Sequence, residues 1–366
     1  PAVVSRVSGY EKRLPSLPGI DREKLAADYP DRLPGELMTD PKTGKEYLGK
    51  VLSPEALAVE KHRKLIQADI KAGDYTPFFN VEDRYQVDPS NYPIVGNTQI
   101  DAMPKRPDTL AKYQTMLDTD DARARLMTAY EGSAGNPMAE NWYAMGQMEK
   151  AYVDELGPEA GREAFRNKFA NAMAATTGGA DPVSNYLMAK YGNFAQERGL
   201  ALPTAAYDMP YPIGGRFAAG NMAQYEKMIN QGAGITASAN PKRFNFAANF
   251  MGYQDPATMD EVMSGLILPG LKEPPGPSYG VAEKVVLDEA KKLKRPGSRL
   301  QDRAWIGDKM LRTPGYKPGP MIQVPNEAIA RTARLLGMDP DEVFARMVRD
   351  SIPTYAGGGL VKKYGV

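Results

Sequence analysis

Repeatedly along this chain a helix-capping side chain is followed at once by proline, as in Ser53-Pro54, Asp181-Pro182, Asn240-Pro241 and Asp255-Pro256. A Ser, Asp or Asn at the N-cap accepts from a free backbone N–H. Proline fits the first helical position because its missing N–H would have no partner there. Glycines stand where such helices should stop, at Gly73, Gly199 and Gly252. Alternating β-branched runs of strand type are scarce. The pattern predicts a mainly α chain. It is clearest at Asn240–Leu268, where Phe244, Ala247, Ala248 and Met251 make an i, i+3, i+4, i+7 apolar stripe. Gly252 closes that helix, and Asp255-Pro256 is expected to open a second one with Asp260 one turn in.

Composition narrows the chemistry further. The 366 residues include no Cys and one His, His62. Disulfides, zinc fingers, Fe–S clusters and Cys nucleophiles are excluded, and a Ser-His-Asp triad or His-rich metal site nearly so. Catalysis would have to rest on Asp, Glu, Lys, Tyr, Ser or Thr. The formal charge of +1 argues against a bulk polyanion binder but leaves local basic patches open. No Walker A and no dinucleotide fingerprint occurs, so no cofactor and no metal is expected. No run approaches 18 apolar residues and no signal-peptide pattern opens the chain. A soluble, non-secreted protein without a membrane partner is the expectation.

Three regions differ in texture. Residues 1–108 are broken by prolines from Pro1 to Pro107, and one amphipathic helix, 53–72, is expected among turn-rich flanks such as Asp40-Pro41-Lys42-Thr43-Gly44. Taken alone, this is an extended arm too poor in core to order itself. Residues 109–312 carry dense helical signals, with helices expected at 109–130, 140–156, 159–176, 182–196, 217–229, 278–293 and 298–312. Residues 313–366 hold a helix pair, 325–336 and 340–350, and the Gly-rich tail Tyr355–Val366.

Four segments within residues 140–312 carry a resemblance: Phe169–Ala189 (FANAMAATTGGADPVSNYLMA), Ala219-Gly220-Asn221 with its helix, Asn240–Asp260, and Tyr279 with Ser298–Trp305. In order and spacing they resemble a divergent helix-hairpin-helix DNA glycosylase superfamily domain of the sort found in phage proteins. The resemblance implies a helical bundle with a helix-hairpin-helix-like core. It also implies that Asp260 is the carboxylate assisting removal of a flipped-out base, and that Gly232, Gly234, Lys242 and Arg243 grip a DNA phosphate. The hairpin departs from the family pattern, since Gln231–Ile235 stands for Leu-Pro-Gly-Val-Gly, and no His follows Asp260.

Plainer roles compete with each assignment. An acidic residue in the first helical turn is favoured by the helix dipole alone, and Lys242-Arg243 suits a solvated helix start. Trp142-Tyr143 and Trp305 suit core anchors better than base-stacking platforms. Lys291, Lys292, Lys294 and Arg295, with Arg299 and Arg303, form a candidate polyanion-facing patch. The core-poor arm, the near-neutral charge, the lack of catalytic residue types and the phage-like resemblance favour a structural protein of a bacteriophage virion, in the virion or host cytoplasm, over an enzyme. Its helical scaffold would dock on neighbouring subunits through residues 1–108 and the C-terminal tail, with DNA as a further partner. The alternative is a base-excision enzyme of glycosylase type, or a DNA-binding protein derived from one.

Overall fold

The computed structural model describes residues 37–39, 46–48, 86–136, 139, 141–197, 199, 201–202, 218–274, 276–313, 321, 324 and 328. The expected helices 53–72 and 340–350, nearly all of 325–336, and the Gly-rich tail lie outside the described residues. The described part is mainly helical. Its one sheet is a hairpin in which β1 (Leu37–Thr39) pairs antiparallel with β2 (Glu46–Leu48), Met38 opposite Tyr47. No strand was expected there; the turn-rich stretch 40–44 lies between the two. The hairpin belongs to one unit, and every other described residue to a second spanning Leu52–Ile352.

Within the second unit, residues 86–102, which were expected to belong to the arm, are built into the helical body. Val87, Tyr92 and Thr98 are buried, and Tyr253 Oη donates to the Tyr92 carbonyl at 3.0 Å. A one-turn helix, α1 (Thr98–Asp101), is capped by Asn97, whose side chain accepts from the Gln99 amide. The single helix expected over 109–130 is two, α2 (Pro107–Leu117) and α3 (Asp120–Gly132). The apolar periodicity runs through the break. Thr119 makes it, leaving helical geometry to accept from the Ala122 amide, with Asp120 and Asp121 at the positive end of the new helix dipole.

Next come α4 (Gly146–Leu156) and α5 (Pro158–Ala164), the latter continuing through a π-helical turn, Phe165–Asn171, into α6 (Ala172–Ala175). Trp142 and Tyr143, expected inside the helix, precede α4. Then follow α7 (Pro182–Glu197), α8 (Ala218–Tyr225) with a π-helical end, Glu226–Asn230, and α9 (Pro241–Phe250). The body closes with α10 (Glu261–Ile267), α11 (Gly276–Lys292) and α12 (Gly297–Arg312). The start expected for α10 at Asp255-Pro256 is wrong: residues 253–260 are not helical, and Asp260 itself is the N-cap.

Two packed regions position the site. Leu117, Leu126, Met263, Ile267, Val285 and Leu300 join α2, α3, α10, α11 and α12 in one core. There α12 approaches α3 so closely that a Cβ on Gly307 would collide with the Ala129 carbonyl oxygen. The other region is aromatic. Phe165 stacks on Phe169 at 5.5 Å, Phe169 meets Phe250 edge-on at 5.2 Å, and Phe246 and Tyr143 extend the chain of rings. Such tilted contacts each add about 1 kcal/mol beyond burial. Among the described residues no helix is long and apolar enough to cross a membrane.

Candidate functional site

Between α9 and α10 the backbone runs extended through the interior, and its polar groups need partners that secondary structure does not supply. Side chains supply them. The Asn249 amide donates to the carbonyls of Tyr253 and Pro256 at 2.9 and 3.0 Å, and that of Asn245 to the Ala257 carbonyl at 2.9 Å. The amide of Ala257 donates to Glu283 Oε1 at 3.1 Å, that of Thr258 to Gln301 Oε1 at 2.7 Å, and that of Met259 to Tyr279 Oη at 3.0 Å. Glu283 is wholly buried and also accepts from Thr98 Oγ1, Gln99 and Asn245. Burial pushes its carboxyl above the ordinary range, against the pull of these donors.

This braced segment delivers Asp260 to the wall of a cavity of about 80 Å³. Trp142, Tyr143, Phe246 and Trp305 give the cavity its aromatic surfaces, and Lys242, Asn185, Asp302 and Asp260 its polar ones. The two indoles lie 5.2 Å apart at an interplanar angle of 34°. Asp260 Oδ1 accepts from the Met263 amide at 2.9 Å, which makes it the cap of α10, while Oδ2 accepts from Trp305 Nε1 at 2.8 Å. Burial raises the Asp260 carboxyl above its ordinary pKa. The Met263 amide, the Lys242 charge, the Trp305 N–H and the Lys309 charge pull it back down.

Lys242 is not the solvated helix start that its sequence position suggests. Only 8% exposed, it lines the same cavity as Asp260, and its Nζ reaches Glu273 at 3.4 Å. The remaining phosphate-grip candidates lie elsewhere. Gly232 and Gly234 are exposed and left-handed, with φ of 69° and 70°, in the turn between the π-helical end of α8 and α9. That turn is closed by the amides of Ala233 and Gly234 on the carbonyls of Lys227 and Met228. Arg243 is partly buried, its Nε 3.4 Å from the Ala175 carbonyl, and burial lowers its pKa. The six-residue basic patch does not hold together. Lys291, Lys292, Lys294 and Arg295 are exposed, with Lys292 paired to Glu289 at 2.7 Å. Arg299 is buried against Asn141, and the Arg303 guanidinium carbon sits over the Tyr130 ring, 3.9 Å from its centre, while Nη1 donates to the ring's hydroxyl.

The structure therefore brings Asp260 and Lys242 together and adds residues that sequence reasoning did not assign to a site: Asn185, Gln301 and the two tryptophans. One signal for the last pair was available, because Trp142 and Trp305 are the only tryptophans of the chain. A carboxylate and an ammonium on one aromatic-walled cavity can bind a flat ring and stabilise charge on a group attached to it. No protein-family model, no curated protein and no solved structure matches the chain.

Proposed function

We propose that the helical body takes an extruded nucleotide into this cavity and acts on its base–sugar bond, as a divergent base-excision-type DNA enzyme. The observation that carries the reading is the convergence of Asp260 and Lys242 on a cavity walled by both tryptophans of the chain. Aromatic faces supply stacking for a base removed from the duplex stack. As the bond from the base to the sugar breaks, the base leaves with the bonding electron pair and takes up a proton. Asp260 stabilises the positive charge left on the sugar carbon and accepts the proton of the water that attacks it. Lys242 favours the ionised form of Asp260, which this role needs.

The test is base release from a panel of duplexes carrying uracil or a modified base. Release that vanishes in Asp260→Asn supports the reading; release that survives removes Asp260 from the mechanism. Steeply salt-dependent duplex binding without release would leave a DNA-binding domain derived from such an enzyme.

The reading as a virion scaffold with a docking arm rests on residues 1–108 and on the tail, which lie largely outside the described residues. It stands on sequence reasoning alone. Its test is the native mass by light scattering before and after proteolysis of the arm: an assembly that dissociates on clipping supports it.

A further inference from the structure

Residues 97–102 belong to the stretch expected as arm, yet they reach the interior beside α11. Thr98 is buried and Gln99 half-buried. Gly280 lets this turn come close. Its amide donates to the Ala102 carbonyl at 3.1 Å, and a Cβ on it would stand 3.0 Å from the carbonyl oxygens of Thr98 and Ala102. Gln99 Nε2 donates in return to the Gly280 carbonyl at 3.1 Å.

The two oxygens of Glu283 are divided between this turn and the segment that carries Asp260. Oε2 accepts from Gln99 Nε2 at 2.8 Å and from the Thr98 hydroxyl at 2.6 Å, a hydroxyl that also lies 3.1 Å from Asn245 Oδ1. Oε1 accepts from Asn245 Nδ2 at 2.8 Å and from the Ala257 amide at 3.1 Å. A second tie from the same stretch holds the start of the segment. Tyr253 Oη donates to the Tyr92 carbonyl, and a Cβ on Gly252 would collide with the Val87 carbonyl oxygen. A buried carboxylate depends on its donors. With Oε2 stripped, Glu283 must turn toward water or crowd onto the donors of Oε1, and either motion displaces the Ala257 amide.

We infer that docking of the turn Asn97–Ala102 on α11 sets the position of Asp260, with Thr98 and Gln99 as positioning residues that act through Glu283. Its catalytic consequence rests on the reading of the cavity as a base pocket; the mechanical link does not. Coupling of this kind is reciprocal. A ligand that engages Asp260 and fixes residues 257–260 also fixes the turn, and a partner that lifts the turn from α11 slackens the site.

The experiment measures hydrogen exchange and base release from a uracil duplex on the full chain, with Thr98→Val and Gln99→Leu. The Ala257 amide should exchange roughly 10- to 100-fold faster in both, while the amides of α3 keep their rates. Base release should show kcat lowered by roughly 10- to 100-fold with KM unchanged, and Thr98→Ser, which keeps the hydroxyl, should restore it. Gly280→Ala leaves all four donors in place and pushes the turn outward; it should quicken the same amide and serves if the others do not fold. Exchange at Ala257 that is unchanged, or that quickens no more than in α3, overturns the coupling. Faster exchange at Ala257 with an unchanged kcat overturns the positioning of Asp260. A wild type that releases no base, with Ala257 quickened in the variants, overturns the base pocket and supports the link.

Discussion

The indole N–H of Trp305, on α12, donates to Oδ2 of Asp260, the cap of α10, at 2.8 Å. One bond thus ties the carboxylate to an aromatic wall of the cavity and joins two helices of the core. It also favours the ionised carboxyl against the burial that disfavours it. Trp305→Phe keeps the ring and removes the donor. The Asp260 pKa should rise further, so the acid limb of the pH–rate profile for base release should move to higher pH. A profile that does not move would detach Trp305 from the function of Asp260.

Asp260 should also limit stability. Its carboxyl titrates above its ordinary value in the fold, so the folded state holds the proton more tightly than the unfolded chain. Stability is then greatest below the ordinary carboxyl value of 3.8 and falls as pH rises through the folded pKa. Asp260→Asn removes the buried charge and keeps one acceptor, Oδ1, so either the Met263 amide or the Trp305 N–H loses its partner at every pH. Thermal melts at several pH values should show the wild type losing stability relative to the variant as pH rises from 3.8 toward neutrality. A wild type that is more stable at neutral pH would contradict the burial argument.

Glu283 is the brace of the segment that carries Asp260. Glu283→Ala would strand donors from Thr98, Gln99, Asn245 and the Ala257 amide in the interior. Loss of stability of about 3–5 kcal/mol is expected, as for a buried charged group whose removal leaves its partners unpaired. The Ala257 amide should lose hydrogen-exchange protection well before the amides of α12. Uniform loss across the body would place the brace elsewhere.

Gly307 is a matter of shape. The Ala129 carbonyl leaves no room for a Cβ, so Gly307→Ala should force α12 away from α3 at a cost of about 1–3 kcal/mol. The denaturant midpoint should fall with the m-value unchanged. The Arg303 guanidinium, held over the Tyr130 ring beside this contact, should lose it as the helices separate.

Local chemistry was legible where it was unambiguous. Pro182 and Pro241 open helices as their positions imply, and Gly252, with φ of 90°, stops α9. The start of α10 was not legible, because Asp255 and Asp260 are equally good caps in sequence. Asn245 and Asn249 decide between them by holding the carbonyls of Ala257 and Pro256 out of helix geometry. Thr119 was hidden for a related reason: an apolar face continuous from Leu110 to Met127 masks a cap that interrupts it. The site required long-range contacts. Asp260 was singled out by resemblance, but the burial of Lys242 depends on Glu273 and on the aromatic walls, and that of Asn185 on Thr176. Arg299 and Arg303 looked like surface cations because nothing in their own helix announces Asn141 or the Tyr130 ring.

Both tryptophans of the chain line the cavity, so intrinsic tryptophan fluorescence reports on this site alone. Titration with a duplex carrying a single mismatched uracil, alongside the fully paired duplex, tests the base pocket most directly. Saturable quenching by the uracil duplex, weak or absent with the paired one, is the predicted result. Identical traces for the two duplexes, or no change with either, would contradict entry of a base into the cavity that Trp142 and Trp305 line.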